Sequence, residues 1–556
     1  MLWTESLLTV LLAGISESIG QSVVLFANRV KPARFVLSLL VNALLIAFGY
    51  AFLVVSTWAT FLVFPHPHPA LTTLAIAIAL SYAPLLLAFL AALPYAGTAL
   101  LWVLRIWQFL AMVSAVSVAA KISYLAGAEH VALGWVVLLL AQRALGKPLT
   151  ALGVRLVNAA AGMRIVGEKV AVRRAAHHLA RNAAPLPDAT PHTLHKRRRG
   201  RAVLTGTVLT FAFVAVIVVA LTPLRHAIAG PYLNGVFWRV GLNLVWVAVV
   251  AVVIAAFLAP VETLGWWAGW YGDQIDPEHP HAVPHPAKIA ASEPQRFVVY
   301  LDGISQSSSE YTPDIETFLN ALEPELPAGV RLIRGIMAYS IVNPALDDDP
   351  IYARFWKFVE GLRLGARTAV LGMFINLRNV LIVAVSADER YGPLYNLGIA
   401  QVIFNALLQH GYHAGSGTPI TLIGYSGGGQ MAAEAAPLLK AVLHAPVGII
   451  SLGGVMTGTC PFLRIDGVHH FVGSKDVIEP VGRFMFASRW RVAFRSNWNR
   501  ALKRGIITRV SLGPVRHQVP GGMLDPDFTL PDGRTALRQT LDNITELLKS
   551  PRTPHS

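Results

Sequence analysis

Residues 420–436 read ITLIGYSGGGQMAAEAA. A β-type run, Ile420–Gly424, meets an Ala-rich helical pattern across Tyr425, Ser426, Gly427 and Gly428. Gly424-x-Ser426-x-Gly428 is the G-x-S-x-G pattern, in which a serine occupies a sharp strand-to-helix turn. Small residues at 424 and 428 let such a turn pack against neighbouring backbone. The start of the following helix points its partial positive charge at the serine, which favours a developing oxyanion. Ser426 is therefore the candidate nucleophile. The bland alternative is a glycine-rich turn without chemistry.

Outward from this turn, short apolar runs alternate with helical patterns. Candidate strands are Phe297–Leu301, Val330–Ile336, Ile420–Gly424, Gly448–Leu452, His470–Val472 and Ile506–Ser511. Candidate helices include Pro313–Leu322, Leu394–Gln409, Gly429–Val442 and Arg534–Lys549. Alternation of this kind predicts the α/β class, a mostly parallel sheet with flanking helices. The apolar stretch Leu362–Ser386 is ambiguous between a buried helix, a strand and a membrane-touching cap.

A serine hydroxyl is a weak nucleophile and needs a base oriented by a third group. HHFVGSKDVIEP sets Asp476 just after a short apolar strand, and VSLGPVRHQVPGG sets His517 after the next. The chain order Ser426, Asp476, His517 is that of one of the recurring triads. His410, His413, His469 and His470 are rival bases, and Asp466 and Glu479 rival acids. None of the rival histidines follows the acid.

With these motifs, residues 296–550 resemble the α/β-hydrolase superfamily of esterases, lipases and thioesterases. The resemblance implies an eight-stranded-type sheet, a Ser426/Asp476/His517 triad and an oxyanion hole. One hole donor would be the backbone N–H of Gly427. The other would come from the loop VVYLDGISQSS, at Ile304. Many members carry His-Gly there, whereas this chain has Asp302-Gly303. Asp302 would bring negative charge near the oxyanion unless it is paired. The implied activity is a serine hydrolase acting on ester or thioester bonds of a small-molecule or lipid substrate, with no cofactor and no metal. The alternative is a catalytically inactive hydrolase-fold module used for binding or scaffolding.

The rest of the chain reads differently. Of 556 residues, 54% are hydrophobic and only 14% charged, well below the quarter or so usual for soluble domains. The deficit lies before residue 262. Six candidate spans run Phe35–Phe61, Leu71–Leu93, Gly97–Ala120, Val131–Leu145, Ala202–Leu221 and Val240–Val261, the fourth being short for a hydrocarbon core of about 30 Å. Residues 1–22 mix apolar and polar positions and predict an interfacial amphipathic helix. No cleavable signal peptide is expected, because the first residues lack a basic region and include Glu5 and Glu17. The expectation is thus a multi-domain chain: an all-α helical membrane domain (1–261), a linker (262–295) and the α/β domain (296–550).

Net charge is +15 overall. Residues 1–295 hold 21 Lys/Arg against 10 Asp/Glu, and residues 296–556 hold 25 against 21. The basic excess, +11 against +4, sits with the spans. Arg29, Lys31 and Arg34 precede the first span, and 143–201 holds 13 Lys/Arg, most of them in a predicted basic loop at 146–201. The positive-inside rule makes both segments cytoplasmic, and six spans then leave both termini and the C-terminal domain on that side. This reading assigns the loop to topology and anionic lipid rather than to nucleic acid. Arg105 and Arg239 lie in or at the edge of spans, where they are a functional hint or snorkelling cations. Through FVLSLLVNALLIAFGYAF and SYAPLLLAFLAALPYAG, residues 35–120 weakly resemble YIP-type membrane domains, which supports a helical membrane module.

Trp266, Trp267, Trp270 and Tyr271 follow the last span, as expected of a membrane boundary. PEHPHAVPHP then reads as a stiff tether, not as a metal site of His279, His281 and His285. In GRFMFASRWRVAFRSNWNRALKRG, residues 482–505, Arg and Lys interleave with Phe and Trp. Such a segment buries its aromatics on its own domain, contacts a headgroup region, or binds nucleic acid, in that order of expectation. Asp347, Asp348 and Asp349 read as solvated loop acids, and Cys460, the single cysteine, as a buried apolar residue.

Overall fold

The computed structural model describes residues 2–167, isolated positions between 243 and 270, and residues 294–306, 311–339 and 369–549. Several sequence features lie outside the described residues. They are the span predicted at 202–221 and most of that at 240–261, Arg239, the basic stretch beyond 167, the Pro/His tether, Asp347–Asp349 and 362–368. The chain divides into a helical N-terminal unit and an α/β C-terminal unit, with Trp267 and Trp270 belonging to the former.

The N-terminal unit holds α1 (Leu2–Gly20), α2 (Pro32–Thr60), α3 (Leu71–Leu80), α4 (Gly97–Ala120) and α5 (Tyr124–Ala161). Three segments, Pro32–Thr60, Leu71–Ala92 and Gly97–Ala120, are helices long and apolar enough to cross a membrane. They match the first three predicted spans. The second is not one α-helix: after α3 the chain continues as a 3-10 helix over Ala83–Ala92. Pro84 lies in its first turn, and proline cannot complete an α-helical bond to the preceding turn.

Two expectations change here. The predicted fourth span and the start of the basic loop are one continuous helix. α5 runs 38 residues, about 57 Å at 1.5 Å per residue, so Lys147 and Arg155 stand on a helix rather than in a loop. Ser123 caps its start by accepting from Ala126 N, and Gly162 ends it with φ 71°. α1, for its part, is amphipathic in the inverted sense for water. Ser6, Ser16, Glu17 and Ser18 are buried, while Trp3, Leu7, Leu8 and Leu12 are exposed. Its polar side is tied into the bundle, where Ser16 Oγ donates to Leu86 O and accepts from Phe89 N, and Asn42 donates to Ser18. Glu17 pairs with Arg105, so the arginine within the predicted third span has a carboxylate partner. Polar groups turned inward and apolar groups outward are what hydrocarbon surroundings require.

The C-terminal unit is a parallel six-stranded sheet flanked by helices. Its strands are β1 (Arg296–Leu301), β2 (Val330–Ile336), β3 (Ile420–Tyr425), β4 (Val447–Leu452), β5 (Val468–Val472) and β6 (Ile507–Ser511). Their order is β2-β1-β3-β4-β5-β6, every pair parallel. The described residues thus carry six strands where the resemblance implied eight. The helices are α6 (Pro313–Leu322), α7 (Ala369–Ala387), α8 (Gly392–Gln409), α9 (Gly428–Leu443), α10 (Ile478–Met485), α11 (Asn497–Lys503) and α12 (Ala536–Lys549). β3 and β4 are buried at every position, which explains their unbroken apolar reading. One face packs Val298, Tyr300, Ile423 and Ile450 against α6 and α12 through Phe318, Leu541 and Ile544. α9 covers the opposite face of β3 and β4. The ambiguous 362–386 stretch is helical from Ala369, as α7.

From β1 the chain steps to β2 on one side, then returns to β3 on the other. Strand order therefore reverses between β1 and β3. In an open parallel sheet the crevice beyond the carboxyl ends at that reversal is where ligands bind.

Candidate active site

Ser426 stands at that reversal, between the end of β3 and the start of α9, with φ 51°. A left-handed conformation at a non-glycine residue costs about 1–3 kcal/mol and persists only when its surroundings fix it. Here both backbone groups are fixed: Ser426 N donates to Leu452 O at 3.0 Å, and Val455 N donates to Ser426 O at 3.0 Å. The glycines of the motif have a packing reason. A Cβ at Gly424 would lie 2.6 Å from Gly428 O, and one at Gly428 would lie 2.4 Å from Leu301 O. No larger residue fits either place without moving backbone. The Ser426 side of the site is nearly closed, the residue being 5% exposed.

Asp476 follows β5 and sits before the first turn of α10. Its Oδ1 accepts from Ile478 N at 2.8 Å and Glu479 N at 3.2 Å, so the helix start holds the carboxylate. Its Oδ2 meets His517 Nδ1 at 2.8 Å, both side chains being buried. His517 lies in the loop after β6. Tyr425, the residue before the serine, donates its hydroxyl to His517 O at 2.8 Å and stacks its ring on the imidazole, centroids 5.2 Å apart. Gly453, at the end of β4 with φ 55°, faces the same pair. A Cβ there would be 2.9 Å from both Asp476 Oδ2 and His517 Nδ1. The sheet thus brings Ser426, Asp476 and His517 to one edge, beyond β3, β5 and β6.

With Nδ1–H donated to Asp476, the neutral imidazole keeps its lone pair on Nε2. His517 Nε2 is buried and has no hydrogen-bond partner among the described residues. It is not bonded to Ser426 Oγ. Such bonds are often loose before substrate arrives.

The loop after β1 closes the other side. A Cβ on Gly303 would lie 3.3 Å from Ser426 Cβ, and one on Gly427 2.8 Å from Ile304 Cγ2. Gly427 and Ile304 are therefore neighbours beside the serine. Among the described residues neither backbone N–H has an acceptor. Sequence reasoning missed what holds this loop. Asn379 on α7 donates to both Ile304 O and Gln306 O at 2.7 Å, and Gln306 donates to Ile336 O at 2.9 Å. Tyr339 hydroxyl donates to Asp302 O at 3.1 Å. The interruption of the 362–386 apolar run by Asn376, Arg378 and Asn379 was the one available signal.

Asp302 is buried and paired on one oxygen only. Oδ1 accepts from Tyr300 hydroxyl at 3.0 Å and Gly303 N at 2.7 Å, while Oδ2 has no partner among the described residues. Burial pushes its carboxyl up to about 6, against the two hydrogen bonds that pull it down.

The rivals have other work. His470 is fully buried between Ser451 Oγ (3.1 Å) and Glu479 Oε1 (3.3 Å), and burial holds its pKa down. Glu479 also takes Arg489 at 2.6 Å and Arg483 at 2.9 Å. Burial alone would raise its carboxyl, but His470 and Arg489 hold it well below the usual range. Asp466 binds Lys440 and Val447 N, and His410 binds its own helix at Ala406 O. His413 is exposed in the loop ahead of β3, and His469 stands within β5, ahead of the acid. Cys460 is fully buried, as expected. Among the described residues no cluster could hold a metal ion.

Comparison with protein-family models, with curated proteins and with solved structures gives no match to this chain.

Proposed function

We propose that this chain is a membrane-anchored serine hydrolase of the α/β-hydrolase type, cleaving an ester or thioester. The observation that carries the reading is the Asp476–His517 bond of 2.8 Å, which leaves Nε2 free beside a serine held on a strained strand-to-helix turn. In this reaction Ser426 Oγ attacks the carbonyl carbon and its proton passes to His517 Nε2. Asp476 stabilises the resulting imidazolium. The tetrahedral oxyanion accepts from the N–H groups of Gly427 and Ile304. Collapse breaks the bond to the alcohol or thiol, which leaves with the Nε2 proton. Water then repeats the sequence on the acyl-serine, releasing the acid and restoring the hydroxyl. The apolar helices make lipid-derived esters a natural substrate class, and the basic segments support a multi-pass topology with the α/β unit on the cytoplasmic side.

Fluorophosphonate labelling of the full-length protein tests this. Wild type takes label; Ser426→Ala takes none; His517→Ala labels at least about 10³-fold more slowly. Label on Ser426→Ala would remove the nucleophile assignment. Folded wild type that never labels would favour the binding-module reading, to which Asp302 and the open Ser426–His517 gap contribute.

A further inference from the structure

Exposed hydrophobic residues are ordinary when scattered and informative when clustered. Between 294 and 549 the described residues include 11 large hydrophobics that are exposed, and 8 of them fall within 477–494. Val481, Phe484, Met485, Trp490, Val492 and Phe494 form the body of this patch, Phe484 at 79% exposure and Val492 at 80%. The segment does not lack an inner side. Phe486 and Trp498 are buried, and Arg489 lies over the Trp498 ring at 4.0 Å while binding Glu479. The interleaved aromatics therefore divide in two: one set seats the segment on its domain, the other points out.

Cations surround the outward set. Arg483, Arg491, Arg495, Arg500, Lys503 and Arg504 are exposed, and residues 482–505 contain no acid. Apart from Arg483, which meets Glu479, none has a carboxylate partner among the described residues. Apolar side chains with a basic rim match an anionic lipid interface, where the chains enter the acyl boundary and the cations meet headgroups. A bilayer is to hand, since the same chain carries three helices fit to cross one. The patch also lies on the carboxyl edge of the sheet, because α10 begins where Ile478 N and Glu479 N hold Asp476.

We propose that residues 477–495 are a docking surface that lays the carboxyl edge of the α/β unit on an anionic membrane. The inference goes beyond the hydrolase reading and does not depend on Ser426 being reactive.

The test uses the full chain with Phe484→Cys carrying an environment-sensitive fluorophore. Cys460 is buried, so one label per chain also reports that the unit is folded. The protein is reconstituted into phosphatidylcholine vesicles with or without phosphatidylglycerol. An Ala414→Cys label serves as reference, in the exposed loop at the opposite, amino edge of the sheet. Iodide quenching at 484 is expected to fall at least about threefold when the anionic lipid is present, with no change at 414. Arg491→Gln and Arg495→Gln together should abolish that fall. Quenching at 484 that stays as strong as at 414 in both membranes overturns the proposal. So does shielding that is already complete in detergent, which would mean cover by protein. Shielding by an added RNA oligonucleotide in detergent would assign the patch to nucleic acid instead.

Discussion

Asp302 opens the loop proposed to supply an oxyanion donor, two residues before Ile304, and its titration has a defined sign. Unfolded, it ionises near 3.8; folded, burial moves this to about 6. Below 3.8 it is protonated in both states. Between the two values only the unfolded chain gives up its proton, so stability falls as pH rises, by about 3 kcal/mol for a shift of two units. Above 6 the loss is complete. Asp302→Asn keeps an oxygen for Tyr300 and Gly303 N, and places an amide where Oδ2 has no partner, a cost of about 1–3 kcal/mol at any pH. The variant should therefore be less stable at pH 4, yet lose almost nothing between pH 4 and 7. Denaturant dependence of Cys460 labelling, with a reagent active in acid, measures both slopes. An unchanged slope in the variant would assign the titration elsewhere. Asp302 was visible in the sequence as a departure from His-Gly, because it neighbours a motif. Its pairing was not visible, nor was Asn379 as the clamp of the same loop, since Asn379 Nδ2 reaches across 75 residues to Ile304 O.

On the proposed reading, α10 is the element that positions the acid, Asp476. Its first two N–H groups hold Asp476, and its Glu479 is anchored by Arg489 and His470. Replacing Arg489 with Met leaves the buried Glu479 with His470 and the half-exposed Arg483 alone. Loss of one partner from a buried ion pair costs about 3–5 kcal/mol, with the lower end expected here because Arg483 remains. Turnover should fall as Asp476 shifts, and Glu479→Gln in the Arg489→Met background should recover stability by removing the stranded charge. Unfolding measured by Cys460 exposure, beside fluorophosphonate labelling rate, separates the two effects; labelling unchanged in Arg489→Met would mean α10 does not position the acid. Elements of this kind were partly legible. Val330–Ile336 and Pro313–Leu322 were read to the residue, because apolar periodicity and turn residues bound them. β5 begins at Val468, two residues earlier than read, since its histidines look polar in isolation. Sequence reasoning could class His470 and Glu479 only as rivals to the site, because what makes them structural is a partner, Arg489, brought in by tertiary packing.

At the scale of the whole chain, topology turns on how α2 and α5 lie together. Arg34, near the start of α2, donates to Ala159 O near the end of α5. At the other end Thr60 Oγ1 bonds His130 Nδ1 at 2.7 Å, and His66 bonds His130 at 3.0 Å. The two helices are therefore antiparallel neighbours along their length, and both basic segments, 29–34 and 155–164, occupy one end of the bundle. Under the proposed topology the positive-inside rule would make that end cytoplasmic, with His66 and Lys121 on the far side. Single cysteines at His66 and at Arg164 test this with a membrane-impermeant thiol reagent, Cys460 being buried and silent. In intact cells His66→Cys should label at once, and Arg164→Cys only after permeabilisation. Labelling of both before permeabilisation would break the parity of crossings and, with it, the cytoplasmic placement of the α/β unit. The reverse pattern would invert the N-terminal bundle and, under the same count of spans, turn the proposed docking surface towards the outer leaflet.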